Sequence, residues 1–104
     1  MAQFDVYENE EPDSKEVIPF LLDVQHDLHN TLVTRAVVPL VLVCSASEVV
    51  AKLCPRFTVG GRDVMMSTPE MAGYPAGELR NKVASLEGSR GEILAAIDFL
   101  LHGF

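Results

Sequence analysis

The sequence predicts a mainly β domain with one C-terminal helix, an α+β fold in which a small twisted sheet or barrel carries the helix on one side. Three observations lead there. Short extended runs separated by turn residues fill most of the chain, the Gly60-Gly61 pair joins two of them with the residues of a tight hairpin, and a strong helical apolar period comes at the end. A chain of 104 residues forms one domain and buries roughly two-thirds of its unfolded surface, so neither a disulfide nor a metal is required to hold it.

Residues 3–7 alternate, with Phe4 and Val6 on one face and Gln3, Asp5 and Tyr7 on the other, the period of a half-buried first strand. Residues 8–16 are dense in carboxylates and broken by Pro12, so they form a loop. Residues 17–25 read as a strand, and Pro19, which has no N–H to donate, places a strand start or an edge there. Residues 27–34 turn the chain into residues 36–44, a nearly continuous apolar strand in which Pro39 demands an edge, a bulge or a bend. Ser45 and Glu48 suggest one capped helical turn before Pro55. The hairpin pairs residues 56–59 with 62–67 around the two glycines. Residues 68–77, with Pro69, Gly73, Pro75 and Gly77, are irregular or strand interrupted by bends, and Leu79, Val83 and Leu86 fit a short helix as well as a strand.

The closing helix is the best specified element. Ser89 followed by Glu92 has the spacing of a capping box, which starts the helix near Arg90. Ile93, Leu94, Ile97, Leu100, Leu101 and Phe104 then fall on one face that must be buried. Glu92, Ala95, Phe99 and His102 point the other way, which suits a contact with another protomer or partner; the alternative is that Phe99 is covered by another part of the same fold.

The formal charge of −7 is concentrated at the front: through Asn30 there are eight carboxylates against Lys15 alone. The basic residues are scattered singly, which argues against direct nucleic-acid binding and for a protein partner. No export signal opens the chain, and the longest apolar run is too short to span a membrane, so a cytoplasmic location is expected. Cys44 and Cys54 lack metal or redox spacing and read as buried free thiols. His26 and His29 flank Asp27, yet a zinc site needs further ligands that the sequence does not place nearby; neither metal nor cofactor is expected. No nucleophile elbow and no cysteine with an identifiable base is present, so no catalytic residue is assigned.

Gln3-Phe4-x-Val6-Tyr7, Asp23-Val24-Gln25-x-Asp27, Val38-Pro39-Leu40, Met65-Met66-x-Thr68-x-x-Met71-Ala72 and the closing Ala96-Ile97 to Gly103-Phe104 together resemble the CcdB family of bacterial toxins. They occur in the same order and over the whole chain. The resemblance implies an SH3-like small barrel of the kind shared by CcdB and MazF toxins, with a C-terminal helix, assembled as a homodimer. It implies a toxin of a type II toxin–antitoxin module that is not itself an enzyme, binds the GyrA component of DNA gyrase, traps the complex with cleaved DNA, and is neutralised by a CcdA-like antitoxin. By position, Asp98, His102, Gly103 and Phe104 would contact gyrase, while Gln3, Phe4, Tyr7, His26, Leu28, His29 and Asp98 would contact antitoxin.

Two departures from the family pattern stand at the tip, where His102 replaces a Trp and Phe104 an Ile; a third is His29, where an apolar residue is expected. The competing readings are a MazF-like endoribonuclease, which the acid-fronted charge disfavours, and a degenerate homologue that binds only antitoxin.

Overall fold

The computed structural model describes residues 2–43 and 51–103. Among the described residues seven antiparallel strands follow one another: β1 (Asp5–Glu8), β2 (Phe20–Asp23), β3 (Thr34–Leu42), β4 (Arg56–Val59), β5 (Arg62–Met66), β6 (Ala72–Pro75) and β7 (Lys82–Ser85). Helix α1 (Arg90–His102) closes the chain. The sheet runs β4-β5-β3-β2-β1-β7, with β6 also paired to β3, and curls into a half-barrel. The fold is therefore the expected small barrel, mainly β with one C-terminal helix.

Long β3 holds the sheet together because it pairs with β2 along one side and with β6 and then β5 along the other. Pro39 sits where those two partners change over. Its carbonyl accepts from Ser67 N–H at 2.9 Å, so its missing N–H faces the gap between β5 and β6, where no ladder partner waits. Pro19 immediately precedes β2, which is central, so it marks a strand start and not an edge. The hairpin is as expected: Gly60 and Gly61 have φ of 57° and 77°, the positive pair that a type I′ turn requires. The segment that fitted helix and strand alike is strand β7, registered against β1 with a bulge between Val6 and Tyr7.

The main core lies between the concave face of the sheet and α1, where Val6, Leu22, Val38 and Val64 meet Ile93 and Ala96. A smaller cluster of Tyr7, Leu21, Val37 and Leu79 covers the opposite face, so β1 and β2 are buried on both sides. The simple alternation expected for residues 3–7 misses this. Phe4 has φ of 73°, held there by a bond from its N–H to the Asp23 carbonyl and another from Leu86 N–H to its own carbonyl. A buried non-glycine residue persists in that region only when its surroundings over-determine it.

Two expectations about α1 need correction. The helix starts at Arg90 as expected, but Ser89 makes no side-chain cap. A 3-10 turn, Glu87–Ser89, runs directly into the helix and leaves Ser89 at φ −107° and ψ 19°, away from the extended conformation a capping hydroxyl needs. The buried stripe is also shorter than the periodicity implies. Ile93 and Ala96 are fully buried and Leu94 and Ile97 half-buried, whereas Leu100 is 37 % and Leu101 65 % exposed. The last turn is therefore largely exposed. Phe99 is half-buried with the Lys52 ammonium 5.1 Å from its ring centroid, so the same chain partly covers it. The helical turn expected at Ser45 and Glu48, Cys44 and the terminal Phe104 lie outside the described residues; Cys54 is a buried free thiol.

Candidate partner-binding surfaces

Two exposed features lie at different ends of α1. The first is the connection between β2 and β3. β2 ends on Asp23 and β3 brings in Arg35, and the two side chains, 0 % and 1 % exposed, form an ion pair at 2.7 Å. Burial pushes the Asp23 carboxyl above its ordinary range; the Arg35 guanidinium and the Gln25 N–H on its oxygens offset only part of that. Arg35 Nε donates to Asp23 Oδ2 at 2.8 Å, Nη2 to the Gln25 carbonyl at 3.0 Å, and Nη1 to Asn30 Oδ1. Gln25 continues the network, accepting from Ala36 N–H and donating to the His29 carbonyl.

Beyond that network the chain turns through a 3-10 segment, Asp27–His29, whose entry is capped by His26 Nδ1 accepting from Leu28 N–H at 3.0 Å. The turn has no buried residue, and it leaves Leu28 79 % and nearby Val33 84 % exposed. Gln3 links it to the helix start. Gln3 N–H donates to Asp27 Oδ1 at 2.7 Å, its Nε2 donates to the Val24 carbonyl, and its Oε1 accepts from Arg90 Nη1 at 3.1 Å. Arg90 also lies over the Phe4 ring, 5.4 Å from its centroid.

The second feature is the far end of α1. Asp98, Leu101, His102 and Gly103 are exposed. Gly103 caps the helix in the left-handed conformation, φ 78°, with its N–H donating to the Phe99 carbonyl at 2.9 Å. At 1.5 Å per residue this tip stands roughly 18 Å from Arg90 along the helix axis.

A family model described as CcdB protein matches residues 3–103, nearly the whole chain. The chain belongs to the CcdB family. It is thus a toxin of the toxin–antitoxin kind, and its resemblance motifs sit in the structure as one connected half-barrel and helix. No curated protein matches it.

On this CcdB-family fold, the residues expected at partner surfaces divide into three groups. Gln3, His26, Leu28 and His29 come together at the helix start, Gln3 half-buried and the others at the surface. Asp98, His102 and Gly103 come together at the helix end, with Phe104 beyond the described residues. Phe4 and Tyr7 are buried in the protomer at 1 % and 4 % exposure, Phe4 in the main core beneath Arg90 and Tyr7 in the cluster on the opposite face of the sheet. Tyr7 donates to Asp5 Oδ2 at 3.5 Å, and Lys82 pairs with Asp5 Oδ1 at 3.2 Å. Burial, followed by the nearby Asp5 and Asp23 charges, pushes the Tyr7 phenol above its ordinary value.

Sequence reasoning overlooked Asp23, Gln25, Asn30 and Arg35 as a unit. A signal existed: Asp23 ends one apolar run and Arg35 precedes another, and opposite charges so placed are candidates for a buried pair.

Among the described residues no helix is long and apolar enough to cross a membrane, and no group of three or more His, Cys, Asp or Glu side chains is arranged to hold a metal ion.

Proposed function

We propose that this CcdB-family chain is a cytoplasmic homodimeric toxin, not an enzyme, that binds the GyrA component of DNA gyrase through the end of α1 and is neutralised by a CcdA-like antitoxin. The observation that carries the reading is the solvent-exposed, glycine-capped end of the helix. Gly103 lets the chain approach a partner closely because it has no Cβ, and among the described residues no atom outside its chain neighbours and its own helix backbone lies within 4 Å of where one would be. Phe104, where the family pattern has Ile, supplies an aromatic anchor of the kind that dominates interface energies. The antitoxin would cover the corner of Gln3, His26, Leu28 and His29 and reach Asp98, with Phe4 buried beneath Arg90 next to Gln3.

The test is a gyrase supercoiling reaction with the intact chain and with a chain lacking Gly103 and Phe104. The intact protein is expected to lower supercoiling and accumulate cleaved DNA, and the truncated one to do neither while unfolding at the same denaturant concentration. Gly103→Val should behave like the truncation in the gyrase assay, since a β-branched residue is strained at φ 78° and fills the approach. Equal poisoning by all three proteins would remove the tip from the mechanism. Cleavage of single-stranded RNA by the pure protein would favour the endoribonuclease reading instead.

A further inference from the structure

The partner surface at residues 26–29 has no apolar anchor of its own, since the Asp27–His29 turn buries nothing and Leu28 points into solvent. A turn of this kind keeps one shape only through directed polar bonds. Several of those bonds converge on one buried group. The Arg35 guanidinium reaches the Gln25 carbonyl before the turn and the Asn30 side chain after it, while Asp23 fixes its position from β2. We infer that Arg35 is a positioning residue for the surface formed by His26, Leu28 and His29; this rests on the reading of that surface as antitoxin-binding.

The chemistry of the side chain fits the task. A guanidinium is a rigid planar fork, so one group can hold three acceptors at fixed angles, and its stem leaves β3, which pairs with neighbours on both sides. Asp23 takes up Nε and Nη2 on one oxygen and the Gln25 N–H on the other, which leaves Nη1 for Asn30. Gln25 repeats the pattern one layer out, tying β3 at Ala36 to the turn at His29. The Asp27 bond to Gln3 comes from a different direction. A turn fixed before its partner arrives loses less freedom on binding, so the clamp raises affinity without touching the partner.

Asn30 gives the cleanest test, because it is exposed and its removal leaves the Asp23–Arg35 pair intact. Backbone amide order parameters would be measured for Asn30→Ala and Asn30→Asp, together with binding of a synthetic peptide carrying the toxin-binding segment of a CcdA-type antitoxin. In Asn30→Ala the values at Leu28 and His29 are expected to fall from about 0.85 toward 0.6, with Leu22 and Val38 in the sheet unchanged. Peptide affinity should fall about tenfold, the ratio that one charge-assisted hydrogen bond supplies, and Asn30→Asp should restore both readings. Unchanged order parameters at the turn, an equal fall throughout the sheet, or a loosened turn with full peptide affinity would each overturn the inference. Failure of the wild-type chain to bind the peptide, with the order parameters responding as expected, would overturn the antitoxin reading and leave Arg35 as the anchor of the turn.

Discussion

Replacing Ile93 with Ala removes a fully buried side chain from the contact between α1 and the sheet, whereas Leu101→Ala trims one that is 65 % exposed on the same helix. The sequence period assigns both to one buried face, so the pair separates periodicity from packing. Large-to-small changes in a closed core cost about 2 to 5 kcal/mol, the lost transfer energy plus the cavity left behind. Against a total of about 5 to 15 kcal/mol, Ile93→Ala should leave a folded but weakened domain, with Tm lowered by roughly 10 to 30 °C. Leu101→Ala should stay within about 0.5 kcal/mol of the parent. Denaturant unfolding at a fixed protomer concentration measures both, since association would otherwise shift the midpoints. The slope with denaturant should be unchanged, so that the midpoint alone reports stability. Comparable losses for the two variants, or less than about 1 kcal/mol for Ile93→Ala, would refute the assigned face.

Arg35→Met leaves the Asp23 carboxylate buried without its partner and should cost about 3 to 5 kcal/mol at neutral pH, read from denaturant unfolding. That deficit should shrink in acid: a carboxyl whose pKa is raised by burial takes up its proton in the native state before the unfolded chain does, so protonation favours the fold. Tyr7 works in the other direction. Its phenol is raised in the folded state, so its contribution is fully present below the unfolded value of about 10 and is lost as pH climbs through the folded value; tyrosinate absorbance during alkaline titration should show Tyr7→Phe removing a late-ionising group, with stability falling less steeply above that pH.

The parts of this structure that were legible in the sequence are those fixed by local rules. Gly60-Gly61 dictated a hairpin because few other residues accept two successive positive φ angles, and the apolar period after Ser89 dictated a helix there. Pro39 announced an interruption that the change of partner from β6 to β5 explains. What was hidden depends on the third dimension. Ser89 and Glu92 have capping-box spacing, but the preceding 3-10 turn sets the backbone of Ser89, and no spacing rule sees that turn. Phe4 and Tyr7 carry resemblance to a partner surface, yet strands β1 and β2 are covered on both faces and take those side chains inside. The exposed members of the site, His26, Leu28 and His29, were recognisable only through the family pattern, since an exposed turn imposes no periodicity.

Burial along α1 fades towards its end. A helix of 13 residues extends about 20 Å, and its two fully buried residues, Ile93 and Ala96, lie in the first two turns. Ile97 and Phe99 beyond them are half-buried, and Leu100 and Leu101 are 37 % and 65 % exposed. Leu101 contributes little to folding, because most of its side chain stays in water. An apolar side chain left exposed beside Gly103 supports the partner contact proposed for this end of the helix.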